Sequence, residues 1–494
     1  MNIRKIIITI ICIFCVVSSR SQVVELSLNR SIEMAIDSSL QSFISENLYL
    51  SSYWQYRTFK AGRLPSLTLN ATPLQYYRDF TRRYDSQQNI DIYRQQQSLY
   101  SYGNLSVTQN LDATGGTFYI DSELGYMHNY GDNNYSQFTS VPVRIGYRQS
   151  LFGFNSFKWE KRIEPLKYEK AKKQLIYSHE EISETVINHF FNLAMAQAQY
   201  DMAVDNAASA DTLYNIGQER FKIAGISQSV LMTLKLDAIN AKNTLKNAEI
   251  SLKRNMFAFV SYLNMDRNTQ IQLTLPNKPQ EFVIDAAQAL ELAKENNPDY
   301  LQYQQSVLES EREVERTKRN SLFDASLSAS VGFNQVANTL NHAYQSPLQQ
   351  DVVSIGLSIP IIDWGVRKGR ANMARNNLNV IRLSAQQMEI SLEQDIIMTV
   401  NDFNVQQDQI ASAEEAISLA TTAYNATRQL FIMGQSDISS LTLSLDRYKN
   451  AQANYITMLK NYWLSYYNLR RLTLYDFEQQ KSLSYLFDDM FHAE

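Results

Sequence analysis

Two rhythms of apolar residues run along this chain, one with a period of two and one close to three and a half. In the first, Val141, Val143, Ile145 and Tyr147 alternate with Arg144, Gly146, Arg148 and Ser150. Val353, Ile355, Leu357, Ile359 and Ile361 alternate in the same way with Ser354, Gly356, Ser358 and Pro360. Leu67, Leu69 and Ala71 repeat the alternation, as do Leu327, Ala329, Val331 and Phe333. Successive side chains of a strand point to opposite faces, so each run predicts a strand with one apolar and one polar face. Residues 105–111 and 118–126 are two further candidates, joined at Gly115-Gly116, and are expected to form a longer external hairpin or a small accessory sheet. In the second rhythm, apolar or small residues recur at alternating steps of four and three from Ala385 through Met388, Leu392, Ile396, Thr399 and Phe403 to Phe431, with only Gln406 out of character. The 4-4 step Met388-Leu392-Ile396 is a stutter that locally unwinds a supercoil. The predicted helix over residues 365–433 would be about 100 Å long, and its counterpart over 156–216 about 90 Å. Such lengths suit a rod or a tube.

The pattern is duplicated, as repeat architectures require. Residues 223–237 align without gaps on 432–446, an offset of 209, with identities that include Ile223/Ile432, Gly225/Gly434, Ser227/Ser436, Thr233/Thr442 and Asp237/Asp446. A second stretch, at offset 210, pairs Val143/Val353, Ile145/Ile355, Gly146/Gly356 and Lys158/Lys368. Near the start, Ile32-Glu33-Met34-Ala35 resembles Leu290-Glu291-Leu292-Ala293 at offset 258, and the larger offset leaves an extra segment in the first half before its returning strand. The division that follows is a signal peptide at 1–21, a first repeat at 22–274, a second at 275–474 and a tail at 475–494. Each repeat reads as a helix, strands (about 64–152 and about 325–362) and two long helices meeting at tips near 224–230 and 433–439.

Composition narrows the class. The chain holds only 15 Gly and 9 Pro in 494 residues, below the usual levels of roughly 7% and 5%, which favours long unbroken elements. Arg4 and Lys5 precede an apolar run from Ile6 to Val17, and Ser19-Arg20-Ser21 places small residues before Gln22. This is the layout of an export signal, too short to span a bilayer. Both cysteines, Cys12 and Cys15, lie inside it, so the mature chain has no disulfide framework. Without Arg4, Lys5 and Arg20 the balance is 43 basic to 50 acidic residues, which argues against nucleic acid as a partner. Mean hydropathy of -0.33 excludes a polytopic helical membrane protein. The exported strands instead suit a transmembrane β-barrel, whose strands are apolar towards lipid and polar towards the lumen, with aromatic residues such as Tyr76, Tyr77, Phe80 and Tyr126 near strand ends. Lipid tolerates no open sheet edge. One chain has too few strands to close a barrel, so copies must pool them in a cyclic assembly.

From about Leu26 to Leu474 the chain resembles the TolC-type outer-membrane efflux protein family. The resemblance rests on the duplicated layout, on Arg63-Leu64-Pro65-Ser66-Leu67 before the first strand, and on Gln149-Ser150-Leu151-Phe152-Gly153 and Ser358-Ile359-Pro360-Ile361-Ile362-Asp363-Trp364-Gly365 after the returning ones. It implies an α+β membrane protein, a homotrimer whose 12-stranded transmembrane β-barrel is continued by a long coiled-coil α-helical periplasmic barrel. Such a protein sits in the outer membrane of a diderm bacterium, reaches into the periplasm, and serves as the passive export duct of a tripartite efflux or secretion system. Its partners would be a periplasmic adaptor (membrane fusion) protein, an inner-membrane transporter and outer-membrane lipid. Alternatives are an outer-membrane component of type I protein secretion and a poreless periplasmic coiled-coil scaffold. No catalytic constellation, metal site or cofactor motif is legible: the five histidines are scattered, His179-Glu180-Glu181 lacks the second histidine of a zinc-protease helix, and the carboxylate pair there reads as a solvated face.

Three groups of residues carry the expected transport function. Gly225 and Gly434 suit positive φ at helix C-caps, while Ser227 and Ser436 suit N-caps of the next helices, and these tips are the expected adaptor contacts. In the family, carboxylates one turn apart after the second tip ring the closed aperture. Ser440 and Leu443 hold those positions here, with Asp437 and Asp446 nearby as substitutes, although Asp437 also suits a helix cap. Lys158, Lys161 and Arg162, with Arg367, Lys368 and Arg370, follow the returning strands and form either a collar for lipid phosphates or a solvated helix face.

Overall fold

The computed structural model describes residues 23–130, 134–277, 282–485 and 487; the expected signal peptide and Pro279 at the expected repeat boundary lie outside these residues. In chain order the elements are β1 (Val23–Ser27), α1 (Leu28–Ser38), α2 (Leu40–Ala61), β2 (Ser66–Asp85), β3 (Ile90–Asn110), β4 (Thr117–Tyr130), β5 (Tyr135–Ser150), α3 (Ser156–Lys222), α4 (Gln228–Tyr262) and β6 (Gln270–Thr274). Then come α5 (Ala286–Asn296), α6 (Pro298–Asn320), β7 (Asp324–Ala337), β8 (Leu348–Ser358), α7 (Val366–Ile432), α8 (Ile438–Thr473) and the short β9 (Tyr475–Asp476) and β10 (Lys481–Ser482).

The duplication is built into these bounds. Helices α1 and α5 have 11 residues each and begin 258 positions apart, at Leu28 and Ala286. Strands β2 and β7, starting at Ser66 and Asp324, keep that spacing. The long helices α3 and α7 have 67 residues each and begin 210 apart, at Ser156 and Val366. The tips also stand at 210: α4 starts at Gln228 and α8 at Ile438. The gapless alignment at 209 is therefore one residue out of structural register. Its identities reflect similar composition at the tips, while backbone geometry equates Ser227 with Asp437.

The chain folds as two units. One comprises residues up to 50, 172–298 and 390–494. Its core is aromatic and aliphatic: Phe190, Phe191 and Leu193 of α3 and Phe259 of α4 are fully buried, as are Phe403 of α7 and Leu459 and Tyr462 of α8. The rings of Phe403, Tyr462, Tyr466 and Phe282 lie 5.1–6.4 Å apart, which accounts for part of the high Tyr and Phe content. Of the apolar series on α7, Leu392, Ile396, Phe403, Ile410 and Ala413 are buried, whereas Met388, at the stutter, is 51% exposed. Extended segments are clamped onto the long helices by amide side chains. Gln197 on α3 donates to Ile271 O at 2.7 Å and accepts from Leu273 N, and Gln407, at the equivalent place on α7, does the same for both backbone groups of Phe282. Parallel pairing of β1 with β6 completes this device.

A buried ion cluster ties α8 and the start of the tail to α3. The Arg470 guanidinium bonds both oxygens of Glu180 at 3.0 Å and Asp476 Oδ2 at 2.7 Å, and Tyr466 donates to Asp476 Oδ1 at 2.7 Å. Arg471 pairs with Glu184 at 2.6 Å and also bonds Tyr177. Glu180 is thus buried and paired, not solvated as its sequence context suggests.

The second unit, residues 51–171 and 299–389, contains one six-stranded antiparallel sheet in the order β2-β3-β4-β5-β7-β8. The expected accessory hairpin is instead the second and third strands of this sheet, β3 and β4. Pro73 and Pro142 lie at irregularities in the β2–β3 and β4–β5 pairings. Proline donates no ladder bond and is tolerated at bulges. The extra residue near Pro142 moves Val141 opposite Glu123, so Val141 leaves the apolar series that Val143 and Ile145 share.

Candidate channel wall, tips and basic collar

Cross-strand partners share a face of a sheet, so the pairing registers read each face directly. One row crosses all six strands as Leu67, Val107, Ile120, Ile145, Val331 and Asp351. The next row, on the opposite face, is Thr68, Ser106, Asp121, Arg144, Gly332 and Gln350. Apolar side chains are the exposed ones. Along β4, Phe118 and Ile120 are each 46% exposed, while the intervening Tyr119 and Asp121 are each 7% exposed. In a water-soluble sheet the apolar face is the one removed from solvent; here that rule is inverted. On the polar face Arg144 pairs with Asp121 at 3.0 Å and with Glu123, Ser106 donates to Asp121 at 2.5 Å, and Asn104 donates to Glu123 at 3.1 Å. Gly146 leaves room for the Tyr119 ring, since a Cβ there would lie 2.2 Å from it. The outer edges, β2 and β8, have no further strand partner among the described residues.

The tips differ from expectation in two of their four named residues. At the end of α3 the left-handed residue is Ala224, with φ 55°, and not Gly225. At the end of α7 it is Gly434, with φ 79°. Ser227 caps α4 by accepting from Val230 N at 3.3 Å. The cap of α8 is Asp437, not Ser436: its carboxylate accepts from Ser440 N at 2.7 Å and from the Ser440 hydroxyl at 3.2 Å. Those bonds to Ser440 hold the Asp437 carboxyl below its ordinary pKa. The two tips pack together, with Leu213, Gly217, Ile226, Val230, Phe431 and Ile438 around a common cleft.

Beyond the second tip, Leu443 is 52% exposed, and Ser440 and Asp446 are exposed as well. Leu441 and Ser444, on the other side of α8, are buried. Successive steps of three residues drift around a helix by about 60° each, so Asp437, Ser440, Leu443 and Asp446 form a spreading band. Among the described residues Asp446 makes a loose ionic contact of 4.0 Å with Lys449.

The basic residues stand in the first turns of α3 and α7. Lys158, Lys161, Arg162, Lys368 and Arg370 are exposed, with Arg162 lying over the Trp159 ring at 5.0 Å. Arg367 is committed to structure: it pairs with Asp363 at 2.6 Å and reaches Pro360 O and Ser321 O. Asp363 caps the helix through Gly365 N and Arg367 N at 3.1 Å each, and these donors, with the Arg367 guanidinium, lower its pKa to about 2. Trp364 beside it is 93% exposed. Cations in the first turn of a helix gain nothing from the macrodipole, so Lys158, Lys368 and Arg370 are not there as helix caps.

Among the described residues no group of His, Cys, Asp and Glu could hold a metal ion, and no helix is long and apolar enough to cross a membrane. Residues 289–473 match the outer membrane efflux protein family. No curated protein sequence matches the chain. Among solved structures, the CmeC outer membrane channel of Campylobacter jejuni is similar with a TM-score of 0.67 at 14% identity, covering 94% of this chain and 88% of that one. The outer membrane protein VceC of Vibrio cholerae gives 0.59 at 14% identity, over 90% and 95%. The open MtrE outer membrane channel of Neisseria gonorrhoeae gives 0.58 at 14% identity, over 90% and 88%. Across nine-tenths of its length the chain thus has the fold of these outer-membrane channels, and its residues 289–473 are similar to the outer membrane efflux protein family.

Proposed function

We propose that three copies of this chain form an outer-membrane channel, the passive export duct of a tripartite efflux or secretion system. The observation that carries this reading is the inverted sheet, with Ile120 and Phe118 exposed and Tyr119 and Asp121 buried. Such a face is stable against hydrocarbon, where exposed apolar area carries no penalty, and its polar reverse suits a water-filled lumen. Open edges at β2 and β8 supply the second argument, because a sheet in lipid must close. A poreless scaffold would need neither feature.

The tips, with Gly225 and Ser227 on one and Gly434 and Ser436 on the other, are the surfaces offered to a periplasmic adaptor. An inner-membrane transporter would supply the energy, since a duct has none of its own. The band Asp437, Ser440, Leu443 and Asp446 borders the periplasmic aperture, with Asp437 also occupied as a cap. Lys158, Lys161, Arg162, Lys368 and Arg370 face lipid phosphates at the inner leaflet, anchored by Trp364 at the level where indole rings favour the interface. Arg367 supports this collar through Asp363. Planar-bilayer recording from the purified chain tests the reading. Discrete conductance steps are expected, and Leu443→Asp should raise cation selectivity by placing three carboxylates near the axis. Unchanged selectivity would remove Leu443 from the aperture, and a protein that never enters the bilayer would end the channel reading.

A further inference from the structure

We propose that the β3–β4 hairpin is an integral part of the membrane wall, so that the trimer closes an 18-stranded barrel. The inference rests on the trimeric channel reading and specifies its bore. The repeat itself isolates the hairpin. Strands β2 and β7 start 258 positions apart, whereas the helices that follow β5 and β8 start 210 apart. The segment that makes up this difference lies between β2 and the return through β5, where β3 and β4 stand. Without it each half would supply two strands, and a trimer would pool 12. With it each chain supplies six, and three chains supply 18.

The inserted strands carry the same two faces as their neighbours. Val107 and Ile120 continue the apolar row from Leu67 to Ile145 and Val331, and Ser106 and Asp121 continue the polar row from Thr68 to Arg144. A hairpin folded over the outside or into the lumen would have no reason to match the lipid-facing period of the wall. Nor does it hang loose at its turn. Asp112 pairs with Arg63 at 2.6 Å, and its carbonyl accepts from Asn155 at 2.8 Å. Gln109 donates to Arg63 O at 2.9 Å, and Gln149 to Thr114 O at 2.9 Å. The turn is thereby fixed to the junctions that open β2 and α3. Finally, the strand directions permit closure. An even number of antiparallel strands leaves β2 and β8 running oppositely, so β8 of one copy meets β2 of the next in the antiparallel sense that every pair within this sheet uses.

Strands about 4.8 Å apart and tilted by about 40° give a backbone diameter of roughly 24 Å for 12 strands and roughly 36 Å for 18. The cross-section grows about twofold, wide enough for a folded peptide segment or a bulky solute to pass the outer membrane. Electron cryomicroscopy of the full trimer in phosphatidylcholine nanodiscs measures this diameter. Nitroxide labels on Leu105→Cys, Ile120→Cys and Ile355→Cys, placed in a chain whose only native cysteines are Cys12 and Cys15, report lipid contact through oxygen against nickel-chelate accessibility. The wider of the two diameters is expected, with all three labels favouring oxygen. Replacing residues 86–134 by Asn-Gly should shrink the wall to the narrower one. A native wall of the narrower diameter, or labels at 105 and 120 that favour nickel while 355 favours oxygen, would overturn the proposal and leave the channel intact. If the label at 355 also favours nickel, the channel reading itself fails.

Discussion

Ala224 and Gly434 occupy the same backbone position in the two halves, each left-handed at the end of a 67-residue helix. Alanine there carries a steric cost that glycine avoids. Ala224→Gly is expected to stabilise the first tip by about 0.5–1 kcal/mol, read as a roughly two- to five-fold slowing of amide exchange at Gly225 and Ile226. A second residue-level expectation concerns His179, which is 3% exposed and whose Nε2 has no hydrogen-bond partner among the described residues. Burial lowers its pKa below the ordinary 6.5, so the folded chain holds it neutral while the unfolded chain takes up a proton. Stability is therefore full above that ordinary value and declines as pH falls through it. His179→Leu should remove part of the acid-side loss, measured as the change in urea midpoint between pH 7.5 and pH 5.5. Sequence makes such residues visible without revealing their state. The glycine at 225 and the serine at 436 are correct residue types for turns and caps, yet backbone register gives those roles to Ala224 and to Asp437, whose suitability as a cap was already legible in the sequence. A one-residue shift between two near-identical tips leaves no trace in composition.

Among elements, α8 shows how much its last turn depends on ion pairing. Arg470 and Glu180 are 14% and 4% exposed in their side chains, and Asp476 lies with them at 3%. The two carboxylates beside it hold the Arg470 guanidinium firmly charged. Arg470→Ala would leave both carboxylates buried and unpaired, at a cost of about 3–5 kcal/mol. Hydrogen exchange of the Tyr466–Asp476 segment is the measurement, and faster exchange confined to that segment is the expected outcome. Arg470→Lys should restore it only in part, because an ammonium cannot bond both Glu180 oxygens in the guanidinium's planar fork. Strands and long helices were legible because their periods are long and regular: Val353, Ile355 and Leu357 announce β8, and Leu392, Ile396 and Phe403 announce the buried side of α7. Contacts between distant segments were not. Nothing near Asp476 signals Arg470 and Glu180 as partners, and nothing near Gln407 signals that it stands in for a strand. Short β1 and β6 escape notice because five residues carry too little alternation to rise above chance.

At the level of the assembled molecule, the apolar face is the feature most open to challenge. Ile355 is 70% exposed on that face, and Ser354 points the other way. Ile355→Arg should cost up to about 2–4 kcal/mol per copy, the amount set by its depth in the lipid, seen as loss of the proposed trimer when the purified protein is sized in detergent. Ser354→Arg should leave the trimer intact and shift only ion selectivity. The number of strands follows from a sequence offset, 258 before the sheet and 210 after it, yet the offset alone does not say where the additional segment goes. Only the pairing of Val107 with Ile120, and of Ile120 with Ile145, puts it in the sheet.

The turn between Asn110 and Thr117 brings the chain back to the side from which β2 departed. A strand can therefore be added to this wall only together with its return, and every such event is multiplied by the symmetry of the ring. In the threefold assembly proposed above, bore width would therefore be a stepped property, changing by six strands at a time and not by gradual widening.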